Sequence, residues 1–201
     1  MSMEKLNAAF YLRKNVVQIA RELIGKILVT HFEGQVTSGR IVETEAYNGI
    51  VDQASHAFGG RNTRRTSVMY MPGGTSYVYL CYGIHHLFNV VTNTENEPHA
   101  VLVRALEPIA GTDTMLLRTG KKKADYSLTK GPGNVSKALG ISTVHTSLSL
   151  LGDLIYIEQD PGFQSPEIVA TPRIGVDYAG TDAKLPYRFY LKGNKYVSGK
   201  L

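Results

Sequence analysis

The sequence predicts an α+β fold: a single domain built on a curved, mostly antiparallel β-sheet with helices around it. Three observations lead there. Short runs rich in Val, Ile, Thr and Tyr are bounded by Gly, Pro and Asn turns. Helical spacing is confined to a few separated stretches with their own start and stop residues. Strands and helices do not alternate regularly, which argues against a doubly wound parallel sheet. With 201 residues, one domain can hold a full core.

Asn15 caps a helix over residues 16–24, where Val16, Ile19, Ala20 and Leu23 recur on one face, and Gly25 ends it. Residues 26–30 form a short apolar strand and 37–46 a second. Side chains alternate along an extended chain, so Ile41, Glu43 and Glu45 share one face and Val42 and Thr44 the other. Residues 48–72 are polar and contain glycine; they read as a long loop with at most a short helix, and such loops are often functional. Gly73-Gly74 marks a turn before a Tyr-, Val- and Thr-rich strand, 75–82, that ends at Gly83. Residues 87–92 and 100–106 are strands joined by a turn over 93–98, and 112–118 is a short helix. Gly131-Pro132-Gly133-Asn134 opens another helix, which carries Val135, Ala138 and Leu139 and closes at Gly140. Strands over 154–159, 167–171 and 188–192 complete the chain.

Hydrophobic residues make up 43% and charged residues 19%, which excludes a wholly disordered chain. A net charge of +5 favours a polyanionic partner, nucleic acid or an anionic membrane surface, but equally suits an ordinary basic protein. Cys81 is the only cysteine, so an intrachain disulfide and a Cys-rich zinc site are both excluded. It reads as a small buried filler rather than a nucleophile. No apolar leader and no run of membrane-spanning length is present, so a soluble intracellular protein is expected. Lys121-Lys122-Lys123 is too short for a nuclear signal and reads as a solvated loop.

Glu45 is the sharpest chemical candidate. A carboxylate at a strand end among apolar neighbours can act as a general base toward water; it can equally be a structural acid paired with an arginine such as Arg104. Glu43 is the rival acid, about 7 Å away if both lie on one strand face. His56 sits in the polar loop and can donate to or accept from a base, or simply be solvated. His85-His86 resembles a metal pair, but adjacent strand residues point to opposite faces and no H-x-E or H-E-x-x-H pattern accompanies them. Tyr77 and Tyr79 share a strand face. Tyr82, at a turn tip, either folds into the core or stands out as a wedge between base pairs. Arg61, Arg64, Arg65, Lys130 and Lys137 are candidate phosphate contacts, supported by free N–H groups at the helix start near Gly133. No Walker loop, Rossmann fingerprint or G-x-S-x-G elbow is present. An acid, rings and cations in one stretch suit holding a nucleobase beside a carboxylate on an anionic polymer.

Six segments carry a resemblance: Arg40-Ile-Val-Glu-Thr-Glu-Ala-Tyr47, Ser55-His-Ala, Tyr77-Val-Tyr-Leu-Cys-Tyr-Gly83, Asn89, Val103-Arg-Ala-Leu-Glu-Pro108 and Gly131-Pro-Gly-Asn-Val-Ser-Lys137. In order and spacing, from about Ala20 to Leu191, they resemble the alkyladenine (3-methyladenine) DNA glycosylase family. The tail segments Arg173-Ile-Gly-Val and Pro186-Tyr-Arg-Phe-Tyr-Leu fit as well.

The resemblance implies a monofunctional base-excision repair glycosylase acting on double-stranded DNA that contains alkylated or deaminated purines. In it Glu45 activates the attacking water and Arg104 helps hold that water and a nearby phosphate. Tyr47, His56, Tyr79 and Asn89 form the base pocket, with Asn89 helping to exclude guanine. Tyr82 enters the duplex in place of the extruded nucleotide. Arg61, Arg64 and Lys137 meet phosphates. No cofactor and no metal is implied, a monomer suffices, and a bacterial-type, cytoplasmic, nucleoid-associated enzyme is expected from the short N-terminus. Two rivals remain open: a non-catalytic basic nucleic-acid-binding module, and a metal-dependent nuclease using Glu43, Glu45 and His56.

Overall fold

A computed structural model describes residues 4–164 and 167–199. Its helices are α1 (Ala8–Tyr11), α2 (Val16–Leu23), α3 (Thr112–Thr119) and α4 (Pro132–Leu139). Its strands are β1 (Ile27–Phe32), β2 (Gln35–Tyr47), β3 (Ser76–Cys81), β4 (His85–Thr92), β5 (His99–Ala110), β6 (Ile155–Glu158), β7 (Ile168–Thr171) and β8 (Arg188–Leu191). The strands form one eight-stranded sheet in the order β3-β4-β5-β2-β1-β6, with β8 joining β2 and β7 joining β8. Every pairing is antiparallel, and the sheet is curled around its helices, as an α+β reading requires. Among the described residues no helix is long and apolar enough to cross a membrane.

β2 explains the curl. Its first half pairs with β1 and its second half with β8, while β5 follows its other edge. Three register irregularities, at Ser38/Gly39, Ile41/Glu43 and Glu43/Thr44, interrupt the β2–β5 ladder. Such bulges bend a strand and increase its local twist. Alternation survives them: Thr44 points to α2 and donates from Oγ1 to the Ala20 carbonyl at 2.8 Å, while Glu43 and Glu45 point the other way.

α2 forms as its sequence dictates. The Asn15 side chain accepts from the Gln18 amide, satisfying one orphan donor, and the chain turns at Gly25 with φ +87°. Val16, Ile19, Ala20 and Leu23 are buried against the sheet; emptying a site such as Leu23 costs about 2–5 kcal/mol. Asn7 and α1 precede it, a turn too short to show helical periodicity in the sequence. β5 runs on through Pro108 to Ala110, four residues past the expected end, because Pro108 lies beside the Ser38/Gly39 irregularity, where a missing N–H is tolerated. Residues 48–72 contain three short 3-10 turns rather than one helix.

Candidate active site

The centre of the site is a charge cluster buried under β2. Glu43 and Glu45 are both fully buried. The Arg104 Nε donates to Glu43 Oε1 at 3.0 Å and its Nη1 donates to Glu45 Oε2 at 3.3 Å. Arg188 Nε donates to Glu43 Oε1 at 2.7 Å, and the Ser198 amide donates to Glu43 Oε2 at 2.7 Å. Two carboxylates thus face two guanidiniums, so no net charge is left in the low-dielectric interior. Burial works against the Arg104 charge, but Glu45 and then Glu43 outweigh it and hold its guanidinium above its usual range.

Glu45 takes two further donors. The Tyr47 hydroxyl reaches Oε2 at 2.9 Å and the Ile174 amide reaches Oε1 at 2.8 Å. Tyr47, Arg104 and Ile174 all line a cleft of about 550 Å³. Glu45 therefore lies one layer beneath the cleft floor. The pairing with Arg104 that a structural acid would make is present, and so is the approach to a ring-lined cavity.

A second buried pair braces this floor. Asp52 receives Arg173 Nη1 at 2.5 Å and Nη2 at 2.8 Å, and Nη1 also donates to the Ala46 carbonyl at 2.9 Å. The Arg173 guanidinium lies 4.9 Å from the Tyr47 ring centroid. One side chain thus joins the long loop, the end of β2 and the segment that carries Ile174.

Beside the cleft is a narrow slot lined by Tyr47, His56, Tyr77, Tyr79, Asn89 and Tyr178, among others. Tyr77 and Tyr79 occupy one face of β3, with ring centroids 5.4 Å apart. His56 packs edge-on against Tyr79 at 4.6 Å. Its Nε2 lies 3.2 Å from Arg65 Nη2 and its Nδ1 lies 2.8 Å from the Tyr77 hydroxyl. A guanidinium has no acceptor, so Nε2 accepts and the ring proton sits on Nδ1, donated to Tyr77. Burial, then Arg65 and Arg61, lower the His56 pKa to about 4; the ring is neutral at pH 7. Asn89 Nδ2 donates to the Tyr77 and Leu87 carbonyls at 3.1 and 3.2 Å, which leaves its Oδ1 for anything in the slot. Tyr47 is pushed well above the usual tyrosine range by burial and then by Glu45, so it remains a neutral donor.

The β3–β4 hairpin overhangs the cleft. Tyr82 and Gly83 both have left-handed backbone, φ +51° and +72°, the pattern of a tight primed turn. A tyrosine in that region is strained by roughly 1–3 kcal/mol. Tyr82 is nonetheless 91% exposed, flanked by exposed Leu80 and Ile84. Of its two sequence readings, the structure shows the projecting one. Beside the hairpin, Gly131 to Asn134 at the start of α4 also line the cleft, presenting free N–H groups and a positive dipole end. Gly133 must lack a side chain, because a Cβ there would lie 2.8 Å from His85 Nδ1.

The predicted residues divide. The structure brings Glu45, Arg104, Tyr47, His56, Tyr79 and Asn89 together around the slot and cleft floor, with Tyr82 at the rim. Arg61 and Arg64 are exposed on the long loop and Lys137 on α4; none of the three lines the cleft, and Lys137 Nζ donates to the Thr119 carbonyl at 3.3 Å. Arg65 does line it. Cys81 is corrected: it is partly exposed and lines the cleft, because β3 extends beyond the core before turning. His85 faces the cleft, whereas His86 Nδ1 accepts from the Thr143 amide at 3.2 Å. No three His, Cys, Asp or Glu gather as a possible metal site among the described residues.

Sequence reasoning missed Arg188, Ser198, the Asp52–Arg173 pair and Tyr178. Only Arg173 and Arg188 had any signal, as members of tail segments that fit the resemblance.

Residues 9–195 match the family model described as methylpurine-DNA glycosylase. A protein of Chlamydia felis is 47% identical over 191 residues, covering 94% of this chain and 97% of that protein. One from Desulfitobacterium hafniense is 44% identical, covering 98% of this chain and all of that protein. One from Clostridium acetobutylicum is 44% identical, covering 96% and 97%. All three carry the name "Putative 3-methyladenine DNA glycosylase". A buried carboxylate under an aromatic slot and a family match over nearly the whole length lead to one conclusion: this chain belongs to the methylpurine-DNA glycosylase family and is a DNA glycosylase, a hydrolase of N-glycosidic bonds.

Proposed function

We propose that the chain excises alkylated purines, 3-methyladenine first among them, from double-stranded DNA, acting as one monomeric glycosylase domain in the cytoplasm at the nucleoid. 7-Methylguanine, hypoxanthine and ethenoadenine belong to the same substrate class. The damaged nucleotide leaves the stack and its base enters the slot between Tyr47, His56 and Tyr79, while Tyr82 fills the gap in the duplex. The observation that carries this reading is a fully buried carboxylate whose three donors all come from residues lining one ring-walled cleft.

A glutamate carboxylate has about four lone-pair positions, and three are taken here. The remaining one receives the water. Because Glu45 has no solvent exposure, water reaches it as the Tyr47 ring shifts to stack on the entering base and its hydroxyl leaves Oε2. Water oxygen then bonds to C1′, the C1′–N bond breaks, and the bonding pair departs with the base. The water's proton passes to Glu45. A positively charged alkylated base leaves as a neutral molecule and needs no proton, whereas a neutral purine needs one from an acid or solvent. No lysine lines the cleft or the slot among the described residues, which supports water as nucleophile over a Schiff-base lyase. Arg61, Arg64 and Lys137 serve as outlying phosphate contacts and Arg65 as a nearer one. Asn89 lines the slot with its Nδ2 engaged, so its Oδ1 is the atom available to the edge of an entering base.

The test is to incubate the protein with methylated duplex DNA in EDTA and analyse both products. Free methylated base should appear while the strands stay intact until alkali cleaves the abasic sites. Strand breakage without alkali, or release that EDTA abolishes, would favour the nuclease instead; binding with no released base would favour the non-catalytic module.

A further inference from the structure

Both aromatic walls of the slot carry a guanidinium. Arg173 lies 4.9 Å from the Tyr47 ring centroid and Arg65 lies 4.9 Å from the Tyr79 ring centroid. A ring attracts a cation over its face through its quadrupole. A guanidinium already seated there takes part of that attraction and repels a second positive charge nearby.

The two arginines differ in how they are held. Arg173 is buried and gripped by both Asp52 oxygens and two backbone carbonyls. Arg65 is exposed, donates to His56 Nε2, and its charge also bears on the Tyr77 hydroxyl, opposing the upward push of burial on that group's pKa. Arg173 is thus a fixed feature of the Tyr47 wall, while the charge on the Tyr79 wall depends on one residue that can be removed without disturbing the core. No carboxylate lines the cleft or the slot among the described residues to offset it at the surface.

We propose that Arg65 is a specificity-determining residue that weakens the preference of the aromatic slot for positively charged bases and so broadens excision toward neutral ones. This rests on the glycosylase reading above. Arg65 makes no bond in the reaction; it acts through the Tyr79 ring that the base stacks on and through the His56 edge beside it.

The experiment compares single-turnover excision of 7-methylguanine, cationic in DNA, with that of hypoxanthine, which is neutral. The wild-type protein, Arg65→Ala and Arg64→Ala are each used at saturating concentration. Arg65→Ala should raise the ratio of cationic to neutral excision by roughly two- to fivefold, the worth of an exposed cation–π contact. Arg64→Ala, which removes an equal charge that does not touch Tyr79 or His56, should leave the ratio where it was. An unchanged or lowered ratio in Arg65→Ala would overturn the proposal and assign Arg65 to phosphate binding alone. A ratio that rises equally in both variants would also overturn it, because general charge loss would then be the cause. Release of neither base by the wild-type protein would overturn the proposal, and failure to release 3-methyladenine as well would sink the glycosylase reading itself.

Discussion

The floor of the cleft and its rim are built on opposite principles. Beneath β2, Glu43, Glu45, Arg104 and Arg188 are buried and each charge meets an opposite one; the carboxylates also take backbone or hydroxyl donors, and the guanidiniums also donate to backbone or hydroxyl oxygens. At the β3–β4 tip, Tyr82 is held in a strained left-handed turn and touches almost nothing. The floor uses excess partners to fix one carboxylate in one place. The rim gives up local stability to hold out a ring for something that is not part of this chain. Strain at functional positions persists only where surrounding structure supports it, and the eight-residue β4 supplies that support here.

The largest effect on stability should come from the floor. Glu43→Ala leaves Arg104 and Arg188 buried without their shared partner, a loss of about 3–5 kcal/mol, measurable as a lower denaturation midpoint. A loss below about 1 kcal/mol would mean that water reaches the cluster and that the floor is no more rigid than the rim. At the rim the sign should reverse. Tyr82→Asn puts a residue tolerant of left-handed backbone into the turn, so thermal stability should hold or rise slightly while affinity for lesion-bearing duplex falls. A fall in stability instead would show that Tyr82 packs on the core in solution.

The smallest effect concerns His56, which lies between the two regions. Its pKa drops from 6.5 to about 4 on folding, so the unfolded chain binds the proton first. The stability this provides is fully present above about pH 6.5 and is lost progressively as pH falls toward about 4. His56→Gln should flatten the stability profile across that window; an unaltered slope would place the titration on another group.

Much of the floor was legible in the sequence because it obeys strand alternation. Glu43 and Glu45 turn to Arg104 and Thr44 turns to α2, as that alternation expects, but Ile41 and Val42 both join the hydrophobic core, next to the register shift between Ile41 and Glu43. The partners were not legible. Glu43 meets Arg188 and Ser198 across 145 and 155 residues of chain, and no local pattern encodes such distances. The tip was legible from Gly83, which demands a turn, but whether Tyr82 faces in or out depends on how far β3 and β4 extend past the core. The same extension misled the reading of Cys81. Tyr178 escaped because it lies in an irregular 3-10 segment, residues 177–184, with neither period to betray its direction.

The central claim is that the buried Glu45 carboxylate activates water against the sugar carbon. Its most direct test is single-turnover base release by Glu45→Gln, with affinity for the same lesion duplex and thermal stability measured in parallel. The account predicts a loss of excision of at least about 100-fold with lesion binding retained. Excision at the native rate in a folded, DNA-binding Glu45→Gln protein would contradict it.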